Sequence, residues 1–208
     1  MDKNSRLFCI GRNYVAHARE LSSKLPSAPV VFMKPGTCLV APGEPVRFPA
    51  HGTELHHEVE LVVRIGKQGK NIQPKQALSC ISAWSVGLDL TLRDVQDMLK
   101  DRGLPWEVSK AFDQSAPVGE FVPYNDQVDL QSIGLECRVN GQIRQQGNTR
   151  DMIFPVPQLI SHLSCIWTLF PGDLIYTGTP AGVGPLLPGE TIEITGDSIG
   201  PYAWKMVR

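Results

Sequence analysis

The stretch HHEVELVV (residues 56–63) predicts the centre of the fold. Apolar residues, mostly Val, recur in it with a period of two, which favours a β-strand. Successive side chains of a strand point to opposite faces, so Glu58 and Glu60 share one face and Val59 lies on the other. Two neighbouring carboxylates repel each other unless one keeps its proton or a cation lies between them.

Asp89 adds a third carboxylate to this pattern. It follows a second apolar strand, Ala83–Leu88, at the point where a helix-start signal begins. Three carboxylates without a thiolate suit a hard ion such as Mg²⁺ or Mn²⁺, and they leave coordination positions for water and substrate. The Glu-x-Glu spacing is equally compatible with a solvated strand face whose acids pair with Arg or Lys. At this point both interpretations are open.

Length, charge and cysteine content exclude several classes of protein. The 208 residues suffice for one domain with a substantial core, or at most two. A formal net charge of -1 gives no electrostatic footprint for nucleic acid. Neither the apolar runs nor the polar N-terminus predicts a membrane span or a signal peptide. Five scattered cysteines without CxxC spacing indicate reduced, buried thiols in a cytoplasmic protein.

Frequent glycine and proline divide the chain into short elements, which favours strands and loops over a helical bundle. Asn140-Gly141, between two alternating runs, predicts a type I′ hairpin. We expect one β-rich α+β domain, preceded by a loosely attached N-terminal segment. The predicted strands are Leu7–Ile10, Val30–Met33, Val46–Phe48, Glu58–Ile65, Ala83–Leu88, Leu135–Val139, Asp173–Thr177, Thr191–Ile194 and Tyr202–Val207.

Three helices are predicted. Thr91–Arg102 begins with a pattern that resembles a capping box, Thr91 followed three residues later by Asp94, and it ends at a glycine. Pro157–Leu163 has apolar residues at helical spacing. Asn13–Ser23 is short and poor in large apolar side chains, so this helix is marginal by itself and needs tertiary contacts.

Several polar residues could act on a substrate beside a metal. His17 and Glu20 share a face of the marginal helix, where a carboxylate increases the basicity of an imidazole and fixes its tautomer, as water activation requires. Lys110 stands between apolar neighbours, where a half-buried ammonium would face an anion. Arg93 and Gln96, three apart on the next helix, could face the same site. Taken singly, each is more simply explained as an ordinary surface or snorkelling side chain.

A Gly-rich segment, Thr177–Gly184, follows a predicted strand. Its amides and hydroxyls, including that of Thr179, could cradle a carboxylate. It lacks the spacing and the lysine of a phosphate-binding loop. The remaining histidines show no HExxH spacing, and we interpret them as structural or supporting residues: His51, His56, His57 and His162.

Six motifs then occur in one order along nearly the whole chain. Together they strongly resemble the fumarylacetoacetate hydrolase family, in particular its small single-domain acylpyruvase and oxaloacetate decarboxylase branch. The motifs are GRNY at 11–14 with His17 and Glu20, FMKP at 32–35, HHEVE at 56–60, LDLTLRDVQ at 88–96, KAFD at 110–113 and TGTPAGVG at 177–184.

The resemblance implies a single catalytic domain over residues 1–208 with the mixed β-roll or sandwich fold of the family's C-terminal domain. It also implies a homodimer that binds Mg²⁺ or Mn²⁺. The site residues that it implies are Glu58, Glu60 and Asp89 for the metal, Lys110 beside it, His17 and Glu20 on a lid helix over residues 13–23, and Arg12, Tyr14, Arg93, Gln96 and Thr179 for the substrate.

For function, the resemblance implies cleavage of a C–C bond in a small 2-oxo acid, whose carboxylate and keto oxygens would bind the ion while it stabilises an enolate. Acylpyruvate hydrolysis, with water activated by His17 and Glu20, shares this enolate with oxaloacetate decarboxylation and keto–enol interconversion, so the motifs do not rank the three. Two alternatives stay open. One is a hydratase or isomerase of 2-oxo-dienoates from aromatic catabolism, and the other is a non-catalytic metal-dependent dicarboxylate binder.

Overall fold

The computed structural model describes residues 4–20 and 24–208. Within these residues the backbone forms sixteen strands and five α-helices. The strands are β1 Arg6–Gly11, β2 Val30–Pro35, β3 Leu39–Val40, β4 Val46–Arg47, β5 Leu55–His57, β6 Val59–Ile65, β7 Ile81–Leu88, β8 Thr91–Leu92, β9 Ala116–Pro117, β10 Val122–Pro123, β11 Gly134–Val139, β12 Gln142–Asn148, β13 Leu174–Tyr176, β14 Gly184–Pro185, β15 Thr191–Gly196 and β16 Ile199–Val207. The helices are α1 Val15–Glu20, α2 Pro74–Ala77, α3 Arg93–Asp101, α4 Glu107–Lys110 and α5 Val156–Ile166.

Two large sheets carry the fold. One has six strands in the order β10-β7-β6-β13-β1-β2, and the other has five in the order β12-β11-β15-β16-β4. There are also two smaller sheets, one with the strand order β14-β5-β8 and one that pairs β3 with β9. Buried apolar side chains from both large sheets and from α5 form one core, with Val63, Ile175, Leu159 and Trp204 among its members. Parallel and antiparallel pairs occur together, so the expected β-rich α+β fold with mixed sheets is confirmed.

Each predicted strand is present, with ends shifted by at most three residues. The seven-residue strand β12 was not predicted as a strand and was implied only as the second arm of the hairpin. Asn140 and Gly141 have φ values of 50° and 79°, as a type I′ turn requires, and they join β11 to β12 in an antiparallel hairpin. The short strands β3, β5, β8, β9, β10 and β14 were not predicted, because two or three residues carry too little periodicity to be recognised.

The expectation of a loosely attached N-terminal segment is wrong for β1. This strand lies inside the six-stranded sheet, parallel to β13 and antiparallel to β2. Its residues Leu7 and Phe8 are fully buried. The strand that holds it comes from near the other end of the chain, a pairing that local sequence patterns do not reveal.

The helices differ from prediction at their ends. Thr91 belongs to β8, and α3 begins at Arg93 without a side-chain cap, so the predicted capping box is wrong. Asp94 instead accepts hydrogen bonds from the backbone amide and hydroxyl of Thr53, at 2.7 and 2.8 Å. The helix predicted over Asn13–Ser23 is present as α1, and its last three predicted residues lie outside the described part of the chain.

All five cysteines are free thiols, and four of them are buried as expected. Cys165 is exposed, because it lies on the outer face of α5, which corrects the expectation for that residue. Among the described residues, no helix has the length and apolar character needed to cross a membrane.

Candidate active site and metal centre

The three predicted carboxylates meet at one end of the β6–β7 pair. Glu58 immediately precedes β6, Glu60 lies on it opposite Gly87 of β7, and Asp89 immediately follows β7. The Asp89 amide donates to the Glu58 carbonyl oxygen at 2.9 Å, which extends the pairing of the two strands to the ligands themselves. One oxygen from each carboxylate lies within 4.8 Å of the others, and all three side chains are buried. The solvated strand face considered above is therefore wrong.

Three cations surround this cluster. The Lys110 ammonium lies 2.7 Å from both Glu58 Oε2 and Asp89 Oδ2, which places Lys110 beside the carboxylates as expected. The Arg93 guanidinium lies 2.6 Å from Glu58 Oε1 and also donates to Gln96. All these side chains are buried, so the ion pairs are shielded from solvent.

Lys34 is the third cation, and sequence reasoning did not select it. Its ammonium lies 2.7 Å from Asp89 Oδ1 and donates to the carbonyl oxygens of Leu90 and Ser115 at 3.2 and 2.7 Å. The side chain of Lys34 is completely buried. The available signal was a lysine inside the apolar strand β2, where a buried ammonium requires a carboxylate partner.

The pKa values of Glu58 and Glu60 are shifted in opposite directions. Burial disfavours the charge of Glu58, but Lys110 and Arg93 outweigh burial and hold the pKa of Glu58 well below its usual range. For Glu60, burial together with the charge of Asp89 raises the pKa well above its usual range, and the Gly178 amide opposes this only in part. Within the described residues Glu60 forms no ion pair; its partner is the Gly178 amide, 2.7 Å from Oε2. In the absence of a cation, this environment therefore favours the protonated form of Glu60.

A divalent cation fits this set of residues. The donors are carboxylate oxygens only, which is the set that Mg²⁺ and Mn²⁺ prefer. A cation between Glu58, Glu60 and Asp89 would offset the repulsion among these carboxylates, which otherwise favours the protonated form of Glu60. The three acids and the three cations Lys34, Arg93 and Lys110 have no net charge when all are ionised. A divalent ion therefore leaves the site with two positive charges available to an anionic substrate.

The Gly-rich turn Thr177–Gly184 connects the carboxylate cluster to α1. The Gly178 amide donates to Glu60, and the Gly182 amide donates to Glu20 Oε1 at 3.0 Å. Both glycines have positive φ, 101° and 97°. A Cβ atom at Gly178 would lie 2.6 Å from the Asn13 Cβ, and one at Gly182 would lie 2.4 Å from the Arg144 carbonyl oxygen. Only glycine therefore allows the turn to pass this closely between its neighbours.

Gln145 supports this turn, and sequence reasoning missed it. Its side-chain carbonyl accepts from the Val59 amide at 3.0 Å and from His57 Nδ1 at 2.9 Å. Its amide group donates to the Thr179 hydroxyl at 2.8 Å and to the Pro180 carbonyl at 2.9 Å. Burial lowers the pKa of His57, so its imidazole is neutral near pH 7 and donates this bond. One buried side chain thus ties the ligand strand to the turn that carries Thr179.

His17 and Glu20 are paired on α1 as predicted. His17 Nδ1 lies 3.2 Å from Glu20 Oε2, and the imidazole is buried while Glu20 remains partly exposed. The start of this segment is anchored by Asn13, whose amide group donates to the carbonyl oxygens of Thr177 and Phe154 at 2.7 and 3.1 Å. These contacts hold α1 over the carboxylates.

One small cavity contains most of the predicted site residues. Its volume is about 30 Å³, so little free space remains beside the carboxylates. Tyr14 does not line this cavity. It is buried in the core with no hydrogen-bond partner for its hydroxyl among the described residues, so the position predicted for it as a substrate contact is not supported. The polar lining residues are Arg12, His17, Glu58, Glu60, Arg93, Gln96, Lys100, Lys110 and Thr179.

Several curated proteins similar to this chain are named as enzymes of oxaloacetate. The chain is 46% identical over 194 residues to a mitochondrial oxaloacetate decarboxylase of Dictyostelium discoideum, covering 92% of this chain and 89% of that protein. It is 44% identical over 202 residues to the mouse mitochondrial oxaloacetate tautomerase FAHD1, covering 97% of this chain and 91% of the relative.

Solved structures agree with this similarity. Fumarylpyruvate hydrolase from Pseudomonas aeruginosa, in complex with Mn²⁺ and pyruvate, superposes with a TM-score of 0.94 at 37% identity, over 98% of this chain and 90% of that one. A 2-hydroxyhepta-2,4-diene-1,7-dioate isomerase from Mycobacterium marinum gives a TM-score of 0.87 at 37% identity, over 99% of this chain and 75% of that one. The family model described as fumarylacetoacetate (FAA) hydrolase C-terminal matches residues 6–207. The chain therefore belongs to the fumarylacetoacetate hydrolase family, as its motifs predicted.

Proposed function

We propose that the chain is a Mg²⁺- or Mn²⁺-dependent enzyme that cleaves a C–C bond of a small 2-oxo acid, by acylpyruvate hydrolysis, oxaloacetate decarboxylation or both. The observation that carries this proposal is the buried three-carboxylate cluster, two of whose members, Glu58 and Glu60, line one small cavity together with Lys110 and His17. The relatives named above act on oxaloacetate and fumarylpyruvate, which are small 2-oxo acids.

Glu58, Glu60 and Asp89 would hold the ion, which supplies Lewis-acid polarisation of the 2-oxo group and stabilises negative charge there. Lys110 would add a second positive charge beside the same oxygen, since its ammonium already lies between two of the ligands. Arg93, Gln96 and Thr179 line the cavity and would bind the substrate carboxylate.

The His17–Glu20 pair would handle protons. In acylpyruvate hydrolysis His17, oriented by Glu20, would take a proton from the water that attacks the distal carbonyl carbon. The C–C bond to C3 then breaks and its electron pair is delocalised onto the 2-oxo oxygen. In oxaloacetate decarboxylation the bond to the distal carboxylate breaks instead and needs no water. Oxaloacetate keto–enol tautomerisation, which needs only proton transfer at C3, is the closest alternative, and the mouse relative is named for it.

A 2-oxo-dienoate hydratase or isomerase is the second candidate, because one structural neighbour is a dienedioate isomerase. We rank it second because the curated relatives named above, which match this chain at higher identity, act on the smaller oxaloacetate.

We also propose that residues 1–208 form a single catalytic domain, with residues 13–23 as its lid, and that two copies form a homodimer in the cytoplasm. The position of β1 and β13 side by side in one sheet supports the single domain. The free cysteines support a reducing compartment. Both curated relatives named above are mitochondrial, so cell fractionation is the test of the compartment. Light scattering of the purified protein measures its molar mass and so tests the homodimer.

A substrate panel tests the proposed function. Acylpyruvates of increasing chain length, keto- and enol-oxaloacetate, and a homoprotocatechuate-type dienoate are assayed with Mg²⁺ and with Mn²⁺. Turnover of an acylpyruvate or release of CO₂ from oxaloacetate supports the proposal, and turnover of the dienoate alone supports the second candidate. Tight oxalate binding without turnover of any 2-oxo acid would identify a non-catalytic dicarboxylate binder and contradict both.

A further inference from the structure

We propose that Arg12 and Lys100 form an anion-binding subsite at the mouth of the cavity. This subsite takes the distal carboxylate of a dicarboxylic 2-oxo acid, and by holding that carboxylate it favours proton transfer at C3 over loss of CO₂. The proposal rests on the proposed function, and it names the substrate class and the branch of the reaction.

Arg12 is a cation that the metal cluster does not use. It lines the cavity, and its guanidinium lies 5.7 Å from the centre of the Trp106 ring, which holds it against an apolar surface. Its φ of 63° is unusual for a residue other than glycine, so the backbone fixes where this side chain begins. Among residues 4–20 and 24–208, no carboxylate forms an ion pair with Arg12.

Lys100 is the second unused cation. It lines the same cavity and is half-buried on α3. Its carboxylate partner, Asp97, lies 3.3 Å away but is 61% exposed, so this pair contributes little. Burial lowers the pKa of Lys100, and the charges of Arg93 and Arg12 lower it further, while Asp97 opposes them. The ammonium thus lies among other cations, where an additional anion is favourable.

The charges of the site indicate what that anion is. With a divalent ion bound, the inner site has two positive charges. The substrate's first carboxylate and the negative charge that develops on the 2-oxo oxygen balance these two. A monocarboxylic substrate therefore leaves Arg12 and Lys100 without a partner, whereas a dicarboxylic one provides a third negative charge where these two residues lie.

Holding the distal carboxylate affects the two reactions of oxaloacetate differently. In decarboxylation the C3–C4 bond breaks, its electron pair forms the C2–C3 double bond, and the carboxylate loses its charge as CO₂ leaves. Cations bound to that carboxylate stabilise a charge that the transition state must give up, so they slow this step. In tautomerisation a proton leaves C3 for a base, such as the His17–Glu20 pair, and a proton is added to the 2-oxo oxygen. The distal carboxylate keeps its charge throughout, so the same cations do not oppose this step.

The test uses three variants: Arg12→Gln, Lys100→Met and the double variant that combines these two substitutions. Arg102→Met is the control. The control removes a cation that is exposed at the end of α3 and does not line the cavity. Keto–enol exchange of oxaloacetate, pyruvate formation from oxaloacetate and acetylpyruvate hydrolysis are measured on each protein. Losing a charge-assisted hydrogen bond should raise KM for oxaloacetate roughly 10- to 100-fold. KM for acetylpyruvate should rise by a much smaller factor, and the ratio of tautomerisation to decarboxylation should fall.

A binding measurement provides a readout that does not depend on turnover. The metal-loaded proteins are titrated calorimetrically with 2-oxoglutarate and 2-oxovalerate, which have equal chain length and differ in the distal group. Wild type should prefer 2-oxoglutarate, and the double variant should lose that preference. A wild-type protein that binds the pair equally, or variants that weaken oxaloacetate and acetylpyruvate equally, would refute the subsite. Failure of wild type to turn over any 2-oxo acid would instead refute the proposed function.

Discussion

Glu60 is the residue on which the metal centre depends most. It is buried, it lies beside two other acids, and within the described residues it has a backbone amide rather than a cation as its partner. Its neighbours Glu58 and Asp89 are already compensated by Lys110, Arg93 and Lys34. The charge of Glu60 therefore becomes stable only when a cation binds.

We expect Glu60→Gln to abolish turnover and to weaken Mn²⁺ binding by more than the roughly 10- to 100-fold known for residues that merely support a ligand. The mutant should keep its fold, because glutamine still accepts the Gly178 amide. Calorimetric titration with Mn²⁺ measures the change. Wild-type affinity in the mutant would show that Glu60 is not a ligand.

The metal-free protein should also depend on pH through Glu60. Its pKa is raised in the folded state, so the folded state binds more protons than the unfolded state between the ordinary and the raised pKa. Without metal, the free energy of unfolding of the wild-type protein should therefore fall as pH rises through this interval. The free energy of unfolding of Glu60→Gln should fall less, and at pH 7 this variant should be at least as stable as the wild type. Urea unfolding in the presence of a chelator, from pH 4 upward, measures both slopes. Equal slopes for the two proteins would contradict the protonated Glu60.

Gln145 gives a second test at this scale. Gln145→Leu leaves the buried Val59 amide and His57 without an acceptor, which costs about 1–3 kcal/mol for each unsatisfied group. It also frees the Thr179 hydroxyl, so KM for the 2-oxo acid should rise. Gln146→Leu is the matched control, because Gln146 is the exposed neighbour on the same strand. Equal unfolding midpoints for the two variants would show that the hydrogen bonds of Gln145 do not stabilise the fold.

Among the elements, α1 is the one suited to move. Its six residues are too few for a helix that is stable by itself, yet it carries His17 and Glu20. In the described conformation it is held by Asn13 and by the Glu20–Gly182 contact, over a cavity of about 30 Å³. We therefore expect this segment to move when a substrate enters.

We expect residues 13–20 to exchange their amide hydrogens faster in the free protein than in the presence of oxalate and Mg²⁺. The contacts of Asn13 and Glu20 hold the segment over the cavity, and a bound anion beside His17 should strengthen this arrangement. Hydrogen exchange measured by mass spectrometry, with β6 as the internal control, gives the comparison. Equal protection of residues 13–20 with and without oxalate would contradict a lid.

The elements also show what the sequence could predict. The period of two around Glu58 and Glu60, and the end of the next strand at Asp89, raised a metal site as one of two interpretations, and the family resemblance was needed to choose it. The capping box was wrong because Asp94 pairs with Thr53, which is 41 residues away. Lys34 and Gln145 were missed because a lysine in an apolar strand and a glutamine in a polar hairpin arm look like solvent-facing residues. Their burial comes from strands that pack on them from distant parts of the chain.

For the whole molecule, the arrangement of sheets explains why one site serves several related reactions. The β6–β7 pair and the turn after β13 fix the ligands and Thr179, while α1 brings His17 over the same cavity. Under the proposed function, the sheets would bind the 2-oxo acid and stabilise negative charge, and α1 would supply proton transfer. Reactions that need a nucleophilic water would then depend on both, whereas decarboxylation would depend on the sheets alone.

The most direct test of this division compares His17→Ala and Lys110→Ala at saturating Mg²⁺. The measured quantity is kcat/KM for acetylpyruvate hydrolysis and for oxaloacetate decarboxylation. His17→Ala should lose hydrolysis by roughly the 10²- to 10⁴-fold expected for a general base, and should lose much less decarboxylation. Lys110→Ala should depress both reactions, because charge stabilisation is common to them. If His17→Ala reduces both reactions by the same factor, His17 does not activate water, and the proposed role of the lid in hydrolysis is wrong.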